Sequence, residues 1–225
     1  MFVRLTADRT PNTLADIGLT SSPNLTVSLN EHTYAKGSEI FGENEPAEYI
    51  YQVKKGAVRS YKLLSDGRRQ IGAFHLDGDL FGLTSRETHR FTAEAVVNTT
   101  LRLIKRQTLE ATASTDRLLA RDLLSMTTQS LQHAEDHMLL LGRKDALERV
   151  AAFLLEMDKR LADSNIISLP MTRHDIADYL GLTLETVSRA LSRLRRAGAV
   201  SFSGTTQREV AILNRSHLYS LDLQG

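Results

Sequence analysis

The sequence predicts an α+β fold in three parts: an N-terminal β-roll of the jelly-roll type, one long helix, and a C-terminal pair of short helices followed by a β-hairpin. Three observations carry this reading. Short β-leaning runs separated by turn signals fill residues 25–104. Residues 107–141 contain neither Gly nor Pro and are rich in helix formers. Residues 172–197, TRHDIADYLGLTLETVSRALSRLRRA, read as two helices meeting at Gly181.

In chain order, residues 1–22 are rich in Thr, Asn, Ser and Asp and read as an N-terminal arm. A β-roll is expected over 23–112. Its candidate strands are LTVSL, EYIYQV, AVRSYKLL, QIGAFHL and TLRLI. The punctuation is Lys36-Gly37, Asn44-Glu45-Pro46, Lys55-Gly56, Asp66-Gly67 and Asp77-Gly78. Ser65-Asp66-Gly67 marks a hairpin between two of the runs. The long helix follows, with residues 113–141 expected to join two copies of the chain. Its Ala120, Leu124, Thr127, Leu131, Ala134, Met138 and Leu141 recur at alternating steps of four and three. One core-facing helix of a globular domain would show a similar stripe. Gly142 is expected to end this helix, and DALERVAAFLLEMDKRLAD forms the next.

Residues 142–225 form the last expected domain. Thr172 with Asp175 three residues on resembles a capping box, and Ile176 and Leu180 give the first short helix an apolar side. Gly181 permits a left-handed turn. Thr183 is a natural N-cap for the second helix, and Glu185 suits its positive end. Val187, Leu191 and Leu194 form the face to be buried. Leu184, Glu185, Ser188, Arg189, Ser192 and Arg195 lie opposite. GAVSFSG and REVAILN flank Thr205-Thr206 as a β-hairpin wing, which completes a winged helix-turn-helix.

That exposed face has the chemistry to read bases. Arg189 can donate two hydrogen bonds to guanine, Glu185 can accept from cytosine N4, and Ser188 can pair with either edge. Thr172, Arg173, His174, Thr183, Arg193 and Arg195 are the candidates for backbone phosphates. The formal net charge of the 225 residues is only +1, but residues 185–215 hold six arginines against two glutamates. A basic stripe of this kind is an electrostatic footprint for phosphate, although a solvated helix face would carry the same residues.

Bulk properties set the remaining bounds. Hydrophobic residues are 41% and charged residues 24%, an ordinary globular composition. Cysteine is absent, which excludes disulfides, Cys-ligated zinc and Cys-ligated iron–sulfur clusters. The start is polar and no segment approaches the ~20 apolar residues of a membrane span, so a cytoplasmic location is expected and no membrane partner. No Gly-rich phosphate loop, nucleophile elbow or metal-hydrolase helix is present, and an enzyme is not expected.

The segment DIADYLGLTLETVSRALSRLRRAG resembles the recognition module of the CRP/FNR superfamily. Its core from Glu185 to Arg189 is similar to the FNR and FixK branch, and the resemblance implies reading of a TTGAT half-site by Glu185, Ser188 and Arg189. The CRP branch has Gly where Ser188 stands and Arg where Leu184 stands. FGENEPAEYIYQVKKGAVRSYKLLSDGRRQIGAFHLDGDLFG resembles the cyclic-nucleotide-binding-like β-roll of the same superfamily, so the likeness spans residues 25–215. It implies a homodimer on double-stranded DNA that contacts RNA polymerase.

Nucleotide-binding members carry a Gly-Glu pair and a later Arg-Ser or Arg-Thr pair. Here Leu83 follows Gly82, and the later stretch is His89-Arg90-Phe91-Thr92. Loss of cyclic nucleotide binding is therefore expected, and no cofactor. The alternative is a sensor whose roll holds a small molecule or haem, with Arg90, Thr92 and His75 as pocket candidates and His32, His75 or His89 as an axial ligand. His133 and His137, four apart, are better read as surface histidines flanking the helix seam than as a metal pair.

Overall fold

The computed structural model describes residues 30–161, 166–204 and 206–222. The expected arm at 1–22 and the LTVSL run lie outside the described residues. The chain divides into two compact units between Leu131 and Gln132.

The first unit is a jelly-roll of two four-stranded antiparallel sheets. Strands β1 (Asn30–Tyr34), β8 (Thr99–Lys105), β3 (Tyr49–Lys55) and β6 (Leu80–Phe81) pair in that order. Strands β2 (Glu39–Phe41), β7 (Thr92–Ala95), β4 (Ala57–Leu63) and β5 (Arg69–Leu76) form the other sheet. Four of the five expected runs are strands β3, β4, β5 and β8; the sequence reading missed β1, β2, β6 and β7. Two of those hold only three and two residues, too short to show alternation. The turn signals did their expected work. Gly37, Asn44, Gly56, Gly67 and Gly78 all have positive φ.

The two sheets close over Phe41, Tyr51, Val53, Val58, Phe81, Ala93, Leu101 and Leu103. Tyr51 and Phe81 stack with ring centroids 5.3 Å apart. A second cluster of Ile50, Ile104, Leu109 and Leu119 joins the roll to the helices that follow it.

The single helix expected over 107–141 is two. Helix α1 (Arg106–Ala113) stops, and α2 (Arg117–Arg143) begins after three residues. Ser114-Thr115-Asp116 causes the break. The hydroxyls of Ser114 and Thr115 donate to the carbonyls of Ala111 and Thr112, and the Asp116 carboxylate accepts the N–H groups of Leu118 and Leu119. Side chains of this kind offer the backbone an alternative to helix continuation. The break also turns Leu109 and Leu119 into one cluster.

The second unit holds the end of α2, then α3 (Ala146–Leu161), β9 (Ile166–Ser168), α4 (Arg173–Leu180), α5 (Leu184–Arg196), β10 (Val200–Ser203), β11 (Glu209–Ile212) and α6 (Arg215–Asp222). Strands β10 and β11 form the expected hairpin, with Val200 opposite Ile212. Strand β9, which the sequence reading missed, adds to its other side with Ile167 opposite Val210. Val150, Phe153, Leu154, Met157, Tyr179, Leu180, Val187, Leu191, Leu194 and Leu218 are buried. Gly142 does not end α2, which continues through Arg143.

Gly56 has the tightest surroundings of any described glycine. At φ +118° its added Cβ would lie 2.5 Å from Thr99 Oγ1 and 2.8 Å from Thr99 Cα. Thr99 is fully buried and its hydroxyl accepts the Ala57 N–H. Gly56→Ala should therefore lower stability by about 3 kcal/mol. Urea denaturation followed by circular dichroism checks this, and Gly67→Ala, with open space around its Cβ, is the control for backbone strain alone.

Candidate nucleic-acid interface

Helix α4 opens with a complete capping box. The Thr172 hydroxyl accepts the Asp175 N–H, while the Asp175 carboxylate accepts the Thr172 N–H at 2.9 Å. It closes on Gly181 at φ 62°, ψ 37°, a left-handed residue. The chain then enters α5 through Thr183, whose hydroxyl accepts the Thr186 N–H at 3.2 Å. Val187, Ala190, Leu191 and Leu194 bury one side of α5. Glu185, Arg189, Arg193, Arg195 and Arg196 are exposed on the remainder, and Ser188 is half-buried among them.

Electrostatics prepare the first turn of α5. Glu185 is held below the ordinary carboxylate range by its own backbone N–H, by the Thr183 hydroxyl and by the charge of Arg189. It is an ionised acceptor beside a cationic donor one helical turn away. The candidate phosphate residues are distributed differently. Thr172 lies at the N-terminus of α4, and His174 is exposed there, 3.8 Å from Asp178. Arg173 is turned toward the wing: it donates to Gln207 Oε1 and its guanidinium lies 5.7 Å from the Phe202 ring centroid. The basic stripe is also narrower than its sequence count. Arg215 makes two bonds to Asp158, at 2.7 and 2.9 Å, and Arg208 bonds the Pro170 carbonyl. Sequence distance hides such pairing, because Asp158 sits on α3.

Two groups that sequence reasoning did not single out, or read otherwise, position this pair of helices. Arg149 on α3 donates to the carbonyls of Leu141, Lys144 and Leu180. His137, expected at the surface, instead stacks on the Tyr179 ring at 4.2 Å and bonds the Tyr179 carbonyl through Nε2 at 2.9 Å. His133 lies 3.4 Å from the Tyr179 hydroxyl, which also donates to Glu156. Along α2 the expected seam is open: Leu124, Leu131 and Met138 are 69%, 58% and 65% exposed, with Ala120, Thr127 and Ala134 exposed beside them. Leu141 is half-buried.

The roll presents a different set of groups. Leu83 is exposed after Gly82, and Arg90 is exposed. Arg59 on β4 is bound to Glu94 on β7 at 2.5 Å, with both side chains largely covered. His75 Nε2 lies 2.8 Å from the Ser60 hydroxyl, and its ring stacks on Phe81. His89 is 4% exposed and stacked on Phe41 at 3.6 Å. His32 sits on β1 opposite Leu101. A cyclic nucleotide needs a free cation for its phosphate and a carboxylate for its ribose. Leu83 brings no carboxylate at its position, and Arg59 and Glu94 are engaged with each other.

Residues 31–116 match the cyclic nucleotide-binding domain family and residues 148–221 the Crp-like helix-turn-helix domain family. A jelly-roll joined to a winged helix-turn-helix of this type is a DNA-binding transcription regulator. The chain is 47% identical over 194 residues to the nitrogen fixation regulation protein FixK of Azorhizobium caulinodans, covering 84% of this chain and 77% of that one. It is 40% identical to the protein of the same name from Rhizobium meliloti, covering 84% and 85%. The solved structure of FixK2 from Bradyrhizobium japonicum superposes with a TM-score of 0.84 at 61% identity, over 87% of this chain and 98% of that one. The chain belongs to the CRP/FNR family of transcription regulators, in its FixK-like branch. Its relatives are regulators and not enzymes. Among the described residues no helix is long and apolar enough to cross a membrane.

Burial places His137 below its ordinary value of 6.5, against the opposing pull of the Tyr179 carbonyl and of Glu156. The unfolded chain therefore takes up a proton that the folded chain resists. This contribution to stability is intact above pH 6.5 and is lost as the pH falls from there through the folded value. Urea midpoints between about pH 7.5 and pH 5 should fall for the native chain. His137→Gln, which keeps a donor toward Tyr179, should flatten part of that slope; His89, which burial shifts in the same direction, adds to it.

Proposed function

We propose that the protein binds double-stranded DNA as a parallel homodimer along α2 and activates transcription from a two-fold site of the form TTGAT-N4-ATCAA. The observation that carries this is the first turn of α5. There an ionised Glu185 stands one turn from the exposed Arg189, on a helix whose opposite side is buried. Arg189 reads the guanine of each half-site, and Glu185 accepts from the cytosine paired with it, so one base pair is read from both strands. Ser188 serves the adjoining A·T pairs. Arg193, Arg195, Thr183, Thr172 and His174 meet phosphates, and Arg173 braces the wing through Gln207 and Phe202.

Dimerisation rests on the exposed row of Leu124, Thr127, Leu131, Ala134 and Met138, which a second copy of α2 would cover, with Leu141 at its end. The domain roles follow: the roll is a sensor-like body, α2 the dimer helix, and the unit beginning in its last turns the reading head. The relatives named as regulators of nitrogen fixation, and the activatory protein AadR of Rhodopseudomonas palustris at 41% identity, support an activator that engages RNA polymerase in the cytoplasm. The engaged Arg59–Glu94 pair and Leu83 support control without a cyclic nucleotide. With no cysteine in the chain, an iron–sulfur signal of the Cys-ligated kind is excluded.

Two measurements test this reading. Arg189→Ala should cost roughly 1–3 kcal/mol per half-site and relax the preference at the G·C pair, whereas Arg195→Ala should weaken all sequences alike and flatten the salt dependence. A uniform loss for Arg189→Ala, with base preference intact, would remove it as the reading residue. Leu131→Glu with Met138→Glu places like charges across the seam. That variant should sediment as a monomer and lose operator binding; a dimer of normal affinity would place the interface elsewhere.

A further inference from the structure

Arg149 lies on α3 and is not among the residues proposed to touch DNA. It is half-buried, and each of its three guanidinium nitrogens donates one hydrogen bond. Nη2 donates to the Leu141 carbonyl at 2.7 Å, Nε to that of Lys144 at 2.9 Å, and Nη1 to that of Leu180 at 3.0 Å. Leu141 and Lys144 mark the end of α2, and Leu180 is the last residue of α4, immediately before the turn glycine. Among the described residues no carboxylate pairs with this cation. Its charge is set against carbonyls at the negative ends of two helices.

Other contacts brace the same junction. A Cβ built on Gly181 would lie 3.6 Å from Leu141 Cδ2 and 3.7 Å from Arg149 Nη1, so the turn itself rests on the last member of the α2 seam. One turn earlier, His137 is stacked on Tyr179 of α4. On the far side, Lys144 Nζ bonds Asp222 of α6, at 2.6 Å to Oδ1. The last turns of α2 and the two short helices accordingly belong to one compact unit, which starts at Gln132.

We infer that Arg149 is a positioning residue that sets the separation of half-sites the dimer accepts. The inference rests on the two-fold DNA-binding reading above. If Ala134, Met138 and Leu141 meet their copies across the dimer, the reading helices are attached to the interface through this junction. One base pair added between half-sites moves a half-site about 3.4 Å along the axis and about 35° around it. A junction tied by three bonds from one planar fork does not follow that displacement, whereas a loosened one does. A guanidinium suits this task because its donors point in fixed, divergent directions, which a lysine cannot reproduce.

The experiment measures binding of the full chain to the consensus site and to sites one base pair shorter and longer, each with an intact and a mutated G·C pair in the half-sites. Native protein should prefer the consensus separation sharply. Arg149→Met should lower that spacing preference about tenfold, the size of one charge-assisted hydrogen bond, while the preference for the G·C pair stays unchanged. Arg149→Gln, a shorter polar side chain that cannot reach all three carbonyls, should act in the same direction and decides the matter if the methionine variant does not fold. A folded variant with the native spacing profile overturns the inference. Native protein without any preference for a two-fold site overturns instead the functional reading on which it rests.

Discussion

Helix ends are the costly points of a helical reading head, because the last carbonyls of each helix have no partner within it. In this protein one guanidinium answers for two of them. Arg149 bonds carbonyls at the ends of α2 and α4, so three oxygens at those ends receive a charged donor. A charged donor is worth more than a neutral one at such a place, and the dipoles of both helices add to the attraction. The geometry of the pair α4–α5 depends on this tie. It fixes the residue before Gly181, and from Gly181 the chain turns into the helix that carries Glu185 and Arg189.

The jelly-roll unit is held by different means. Its two sheets share one aromatic-rich interior, in which Phe41, Tyr51 and Phe81 pack together with His89 stacked on Phe41. Two polar pairs are formed within the roll. Arg59 and Glu94 neutralise each other across adjacent strands, and His75 meets Ser60 across the β4–β5 pair. A pair of largely covered, mutually bonded charges is stable only while both remain, since removing one would leave the other uncompensated. The roll thus keeps the fold of the cyclic nucleotide-binding family while Arg59 and Glu94 bond each other inside it.

Much of this was legible in the residue order because it is local. Turn glycines, caps and the two faces of α5 involve residues within four positions of one another. The capping box of Thr172 and Asp175, the left-handed Gly181 and the apolar stripe of Val187, Leu191 and Leu194 are therefore found where the spacing placed them. The break at residues 114–116 was also local, but the absence of Gly and Pro concealed it: Ser, Thr and Asp interrupt a helix through side-chain hydrogen bonds, a weaker signal than a missing N–H. Strands of two or three residues left no periodicity to read.

By itself, then, the sequence determined the α+β order of the chain and the face of α5 that stays in water, since both follow from periodicities of two and 3.6 residues and from turn chemistry; the family resemblance came from the residues of the segment from Asp175 to Gly198. Only the tertiary structure decided which charges are free to act. Arg215 is tied to Asp158, 57 positions away; Arg59 to Glu94, 35 away; and Arg149 to Leu180, 31 away. A charge carries no mark in the sequence of the partner that will neutralise it, because ion pairs and end-caps form between whatever groups the packed helices and sheets bring within about 3 Å.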